Sequence, residues 1–264
     1  MFLTSNGVKV YLPNGQKKRA MIHLKHKNAF ITGGTKGIGL GIAEALLING
    51  ISVAFTGRDE VSVNRTEKAL KILADQHNTK VIGLTTDVRN YDEMSRASDR
   101  AMQALGPIDC VIANAGLGHF APVHEMSLEH WHQTIDTNLT GVFYTLKVLA
   151  ESLIAHQGYF MSISSLAGTN FFAGGSAYNA SKFGVTGFTQ AAMLDLRSYG
   201  VKMTTIMPGS VSTYFNNHQP DDSDHWKIQK EDLGQIVVQL LSMHPRSLPS
   251  KIELRPTQPP SVKK

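Results

Sequence analysis

Residues 28–39 read Asn28-Ala29-Phe30-Ile31-Thr32-Gly33-Gly34-Thr35-Lys36-Gly37-Ile38-Gly39. The short apolar run that ends on glycines predicts a buried strand. Ile38, Ile42, Ala45 and Leu46 then recur at helical spacing, so the glycines occupy a strand-to-helix turn. Glycines there let the backbone turn sharply and let a pyrophosphate approach without meeting a Cβ. The helix N-terminus adds free N–H groups and the positive end of its dipole. The spacing is G-x-x-x-G-x-G, not the commoner G-x-G-x-x-G, and no Gly-Lys-Ser/Thr closes it as a P-loop. Taken alone, the turn is also compatible with an ordinary tight bend.

Working outward, residues 51–56, 81–86, 108–113, 159–163 and 202–207 are further strand candidates, each separated from the next by enough chain for a helix. Near-continuous apolar strands alternating with helices predict a parallel sheet covered on both faces, with right-handed crossovers. The expected fold is therefore α/β, a Rossmann-like doubly wound parallel sheet in a single domain over residues 28–256. A long helix is expected at about 127–156, with Ile135, Leu139, Val142, Phe143, Leu146, Leu149 and Leu153 facing the core. Residues 1–27 are polar and lack such a pattern, and read as a flexible N-terminal extension. Pro259 and Pro260 mark a loose tail over 257–264.

Composition narrows the class. With 264 residues, 42% of them hydrophobic, the chain can fill one core. A single cysteine, Cys110, permits no intramolecular disulfide and no cysteine-rich zinc site. No run approaches the roughly 20 apolar residues of a membrane span, and residues 1–27 lack the apolar stretch of a secretory leader. A cytoplasmic location with no membrane partner is expected. The net charge of +5 gathers at the ends, in Lys17, Lys18, Arg19, Lys25, Lys27, Lys263 and Lys264. No nucleic-acid motif accompanies it, so nucleic acid is not an expected partner.

Tyr178 and Lys182, four residues apart on an expected helix, lie on one face. A phenol with a pKa near 10 is too weak a base at neutral pH, and a neighbouring cation lowers that value. Such a pair can exchange a proton with a carbonyl oxygen. Ser165 stands thirteen residues before Tyr178, at the end of the fifth strand, where an open α/β sheet builds its site. Ser164 is its rival, but the spacing to Tyr178 and Gly168 favours Ser165. By itself a Tyr-x-x-x-Lys is more often an exposed helix face.

Taken with Asp87-Val88, Asn114-Ala115-Gly116 and Pro208-Gly209, each placed after a strand, these motifs resemble the short-chain dehydrogenase/reductase family over about residues 28–255. One departure is Ala113, where the family often has a second Asn. The resemblance implies catalytic roles for Asn138, Ser165, Tyr178 and Lys182. Ser165 would hold the substrate oxygen, and Asn138 would help bind a proton-relaying water. Lys182 would also hydrogen-bond the nicotinamide ribose. Cofactor contacts are implied for Gly33, Thr35, Lys36, Gly37, Ile38, Gly39, Arg58, Asp87, Val88, Asn114, Ala115, Gly116, Tyr178, Lys182, Pro208, Gly209, Val211 and Thr213. It also implies a homodimer or homotetramer built on the 127–156 helix and the helix after Tyr178, whose Ala180, Gly184, Gly187, Ala191 and Ala192 permit close packing.

The expected activity is hydride transfer between NADP(H) and a small carbonyl or alcohol substrate. NADP(H) is expected over NAD(H) because Gly57 takes the position at the end of the second strand where an acid would hold the ribose hydroxyls. Arg58 and Lys36 bring two cations to that corner, while Asp59 is expected to cap the next helix. Substrate-wall candidates are His119, Phe120, Phe171, Phe172, Tyr214 and Phe215, with 213–226 as a short mobile lid. A serine hydrolase is disfavoured, since Gly174-Gly175-Ser176-Ala177 is followed by Tyr178 rather than glycine. His124, Glu125, His130 and His132 lack metal-ligand spacing, so no metal is expected. A lyase or epimerase of the same fold, or a non-catalytic cofactor-sensing protein, are the alternatives.

Overall fold

The computed structural model describes residues 27–258 and, ahead of them, a short antiparallel ladder pairing Leu3–Thr4 with Gly7–Val8. The rest of the expected extension and residues 259–264 of the expected tail lie outside the described residues. Seven parallel strands form one sheet: β1 (Asn28–Ile31), β2 (Ser52–Gly57), β3 (Val81–Thr85), β4 (Cys110–Ala113), β5 (Tyr159–Ile163), β6 (Lys202–Pro208) and β7 (Lys251–Leu254). Their order is β3-β2-β1-β4-β5-β6-β7. This is the Rossmann-like doubly wound sheet. Phe30 sits opposite Ala54 on one side and Val111 on the other.

Side chains alternate across the sheet, and each face has its own core. Ala29 and Ile31 point to a cluster with Ile42, Leu46 and Val237. Phe30 points the other way, to Met94, Leu149 and Phe160. The first cluster is closed by helices α1 (Gly37–Ile48), α2 (Glu60–Gln76) and α7 (Lys230–Ser242). The second is closed by α3 (Tyr91–Leu105), α5 (Gly141–His156) and α6 (Ser176–Leu196). Helix α7 rests on α1 backbone to backbone. A Cβ on Gly41 would stand 2.5 Å from the Lys230 carbonyl oxygen, and one on Gly234 would stand 2.7 Å from that of Gly41.

Three expectations need correction. β7 was not anticipated: its four residues alternate in exposure at the sheet edge, without the apolar run of a central strand. Pro208 was expected after the sixth strand but is its last residue, opposite Leu254. The long helix is not continuous. Helix α4 (Leu128–Ile135) passes through a π-turn, Asp136–Thr140, into α5. The wider turn shifts the helical phase. Val142, Leu146, Leu149 and Leu153 are buried as expected, but Phe143 is exposed rather than core-facing.

The strand order reverses at β1 and β4, whose carboxyl ends open a crevice. Among the described residues no helix is long and apolar enough to cross a membrane.

Candidate active site

The crevice begins at the glycine turn. Gly33 and Gly37 have φ of +68° and +56°, a region where side chains are strained. Thr32 and Asn114 fasten this turn to the β4 end. The Thr32 hydroxyl oxygen accepts from the N–H groups of Asn114 and Ala115 at 3.0 and 3.1 Å. The Asn114 amide donates to the carbonyls of Thr32 and Gly33, both at 2.9 Å. A Cβ on Gly39 would meet the Gly33 oxygen at 2.3 Å, so α1 starts flush against the turn. Ile38 is half-buried and packs on the first core. The result is a glycine-lined cradle ending at a helix N-terminus, suited to a diphosphate.

The corner beside the cradle is cationic at its rim. Lys36 and Arg58 are exposed, and the Lys36 ammonium lies 5.9 Å from the Tyr214 ring centre. Gly57 ends β2 with no room for a side chain, since its Cβ would meet Thr35 Cγ2 at 2.5 Å. Asp59 accepts from the Ser62 N–H at 2.8 Å and caps α2 as expected. Asp87 is gripped by Arg89 through Nε and Nη2, at 3.0 and 2.6 Å. Burial works to raise its pKa, but the Arg89 hydrogen bonds and charge outweigh it and hold the carboxyl below its ordinary value. Val88 is buried against α5. On the far side, Gly209 donates to the Leu254 carbonyl, Val211 bridges to Ile228, and Thr213 lies against Gly37.

Ser165, Tyr178, Lys182 and Asn138 converge where β4, β5 and α6 meet. Tyr178 is half-buried. Desolvation raises its pKa, and a hydrogen bond with Ser165 pulls the other way. The Ser165 oxygen also accepts from the Ala167 N–H at 3.1 Å. Ser164, the rival serine, is 3% exposed and turns toward α6, donating to the Lys182 carbonyl. Lys182 is 5% exposed. Its ammonium donates to the Ile163 carbonyl at 2.9 Å and lies 5.7 Å from the Tyr178 ring centre. Burial lowers its pKa to about 8. The expectation that Lys182 lowers the Tyr178 pKa is therefore not met in this arrangement. The phenol loses more by leaving water than it gains, and the lysine charge is itself desolvated.

Asn138 sits in the π-turn and is fully buried. It does not bond its own helix. Its carbonyl oxygen accepts from the Leu117 N–H at 2.8 Å, and its amide donates to the Leu117 carbonyl and the Ser181 hydroxyl. These bonds pin the loop that follows Gly116. A Cβ on Gly116 would stand 3.3 Å from the Asn138 oxygen and 3.5 Å from the Lys182 ammonium, so position 116 borders both. Sequence reasoning missed Ser181 and the Ile163 carbonyl, which no motif marks.

Of the wall candidates, Phe120 and Phe215 pack on Tyr178, and Phe172 packs on Phe120. Phe171 is 85% exposed, His119 stacks on His130, and Tyr214 belongs to the Lys36 corner. Segment 213–226 forms two 3₁₀ turns, Phe215–Asn217 and Asp222–Trp226. It is pinned by Asp224, which sequence reasoning also missed. This buried carboxylate accepts from the Ser212 hydroxyl and pairs with Lys227 and His218. Lys227 and His218 hold its pKa well below the usual carboxylate range. His124 pairs with exposed Glu125, away from the stacked His130. No group of three metal-ligating side chains converges among the described residues.

Residues 27–224 match the family model described as short chain dehydrogenase. A 3-oxoacyl-(acyl-carrier-protein) reductase of Chlamydia muridarum is 30% identical over 81% of this chain and 85% of its own length. An uncharacterised oxidoreductase of Staphylococcus saprophyticus is 29% identical over 89% and 100%. Among solved structures, an alcohol dehydrogenase of the archaeon Thermococcus sibiricus, complexed with 5-hydroxy-NADP, superposes with a TM-score of 0.82 at 27% identity, covering 89% of this chain and 99% of that one. A metagenomic short-chain oxidoreductase in complex with NADP gives 0.75 at 30% identity, covering 88% and 98%.

Proposed function

Because the chain belongs to the short-chain dehydrogenase family, we propose that its site interconverts a carbonyl and an alcohol, with NADP(H) as the preferred cofactor. The observation that carries this reading is Lys182. A lysine 5% exposed, with no carboxylate bonded to its ammonium among the described residues, is costly. A cost of that kind is kept where a ligand uses the charge, and ribose hydroxyls and a phenol oxygen are such ligands.

The residues present fit a nicotinamide dinucleotide. The cradle at residues 33–39 would take the diphosphate and Lys182 the nicotinamide ribose. Asp87 and Val88 would flank the adenine end, and Asn114, Ala115 and Gly116 would line the floor. Pro208, Gly209, Val211 and Thr213 would close the far side, near the nicotinamide. When bound, the cofactor supplies or accepts the hydride. Tyr178 and Ser165 act on the substrate oxygen. Ser165 donates a hydrogen bond that stabilises developing charge, and Tyr178 gives its proton in reduction. A desolvated phenol remains protonated at neutral pH, which is the form reduction needs. Asn138 holds the Leu117 backbone in place through its carbonyl oxygen and its amide.

Cofactor preference rests on the Gly57 corner, where no carboxylate fits and Lys36 and Arg58 are exposed. Each charge-assisted contact to a 2′-phosphate contributes on the order of 1.5–3 kcal/mol, so the pair supports a preference of about a hundredfold or more. The test is kcat/KM with NADPH and NADH on wild type and on Lys36→Ala with Arg58→Ala. The double variant is expected to lose the preference. Equal efficiency of the two cofactors in the wild type would refute it. Tyr178→Phe is expected to lose at least about a hundredfold in kcat while retaining cofactor binding. Wild-type turnover in that variant would sink the assignment.

A further inference from the structure

Two phenyl rings, Phe120 and Phe215, flank the Tyr178 ring, and a third, Phe172, packs on Phe120, the three coming from three different loops. Phe120, after β4, lies with its ring centre 5.5 Å from that of Tyr178, 5.8 Å from Phe172 and 6.4 Å from Phe215. Phe215, on the segment after β6, is 5.6 Å from Tyr178. Phe172 belongs to the loop after β5. The planes are tilted 48° to 66° to one another, so the rings stand as walls rather than a stack. The backbone makes room for them: a Cβ on Gly118 would meet Phe215 at 2.7 Å and Phe120 at 2.8 Å.

These rings are not buried as core residues are. Phe120, Phe172 and Phe215 are 39%, 48% and 37% exposed. Scattered exposed aromatics need no explanation, but a run of rings from Phe172 through Phe120 to Phe215, with the Tyr178 ring against the last two, forms a contiguous open apolar surface. The polar side chains beside them are already engaged. His119 bonds Gln133 at 3.0 Å, and the Asn179 amide donates to the carbonyls of Ala167 and Asn170. What these walls offer a substrate, outside Ser165 and Tyr178, is ring edges and faces.

We infer that the substrate is an uncharged ketone or aldehyde bearing a planar apolar ring next to its carbonyl, seated among Phe120, Phe172 and Phe215 with its oxygen at Tyr178. This rests on the carbonyl-reduction reading above. Edge-to-face and offset contacts favour a flat ring over a chain of equal carbon count, and an unpaired anion in such a pocket is penalised by desolvation.

The test compares three carbonyls under NADPH: a phenyl methyl ketone, a straight-chain methyl ketone of equal carbon number, and the phenyl ketone carrying a ring carboxylate. Wild type is expected to favour the neutral ring over the chain by roughly tenfold or more in kcat/KM, and over the carboxylate by at least as much. Phe120→Ala is expected to reduce the ring-to-chain ratio to below about threefold, and Phe120→Leu, which preserves apolar volume, to an intermediate value. Cofactor fluorescence on binding checks that each variant is folded. A chain ketone reduced as well as the ring ketone, or an unchanged ratio in Phe120→Ala, overturns the inference and leaves the oxidoreductase reading standing. No turnover of any carbonyl by a wild type that still binds NADPH overturns both.

Discussion

Lys182 is the residue where stability and chemistry oppose each other. Burial lowers its pKa from 10.5 to about 8, which corresponds to about 3 kcal/mol of destabilisation at neutral pH. The unfolded lysine binds its proton up to about 10.5 and the folded one only to about 8. Folding stability therefore rises with pH between those values. Lys182→Met keeps most of the volume and removes the charge, at the loss of one hydrogen bond to Ile163. It is expected to raise Tm at pH 7 by several degrees, the gain shrinking as pH climbs from 8 toward 10.5, while abolishing turnover. A melting scan across pH measures both; a lower Tm at pH 7 would contradict the account. Reduction should also fall as pH rises through about 8, when Lys182 loses its charge. Tyr178 and Lys182 were legible because the motif states residue types at a fixed spacing. The direction of the Tyr178 shift was not, because it depends on how much water the fold removes, and spacing carries no information about that.

At the scale of elements, the glycine turn was placed correctly because its neighbours, a buried strand and a helix with apolar residues at helical spacing, bound it on both sides. The π-turn was not legible. One extra residue in a turn leaves composition unchanged and only offsets the apolar stripe, as exposed Phe143 shows. β7 escaped for a similar reason, its alternating Lys251–Leu254 being indistinguishable from a polar loop. Two outcomes follow for these elements. Gly57→Asp, made to recruit NADH, is expected to fail alone because its Cβ meets Thr35 at 2.5 Å and Val63 at 2.9 Å. Joined with Thr35→Gly and Val63→Ala it should move the NADPH/NADH ratio toward NADH by about tenfold or more. An equal change in the single variant would show that both side chains yield freely. Asp224→Asn removes the charge that ties the 213–226 segment together through His218 and to Lys227 just beyond it. Limited proteolysis is expected to cut that segment faster in the variant, with a lower Tm at neutral pH because a stabilised carboxylate is lost; unchanged cleavage would mean that the carboxylate is not what holds it.

For the whole molecule, the sheet was legible almost strand by strand, because parallel strands buried on both faces must be apolar runs. Its edge was less so, since an edge strand faces solvent and alternates in exposure. We propose a dimer or tetramer through α5 and α6. Phe143, Phe183 and Leu194 are exposed there, and a Cβ on Gly187 would have nothing within 4 Å. Light scattering is expected to give two or four times 28.9 kDa, and Gly187→Arg a single copy. A monomeric wild type at micromolar concentration would count against it. The contact between α1 and α7 carries a consequence of another kind. Gly41 and Gly234 bring together the backbones of α1, which follows the glycine turn, and α7, the last helix among the described residues, across roughly 190 residues of sequence. At translation rates of about 5–20 residues per second, the N-terminal half waits on the order of 10–40 s on the ribosome before that partner exists. For that interval the apolar side of α1 has no α7 to cover it, and the nascent chain offers a chaperone a surface that the finished enzyme never shows.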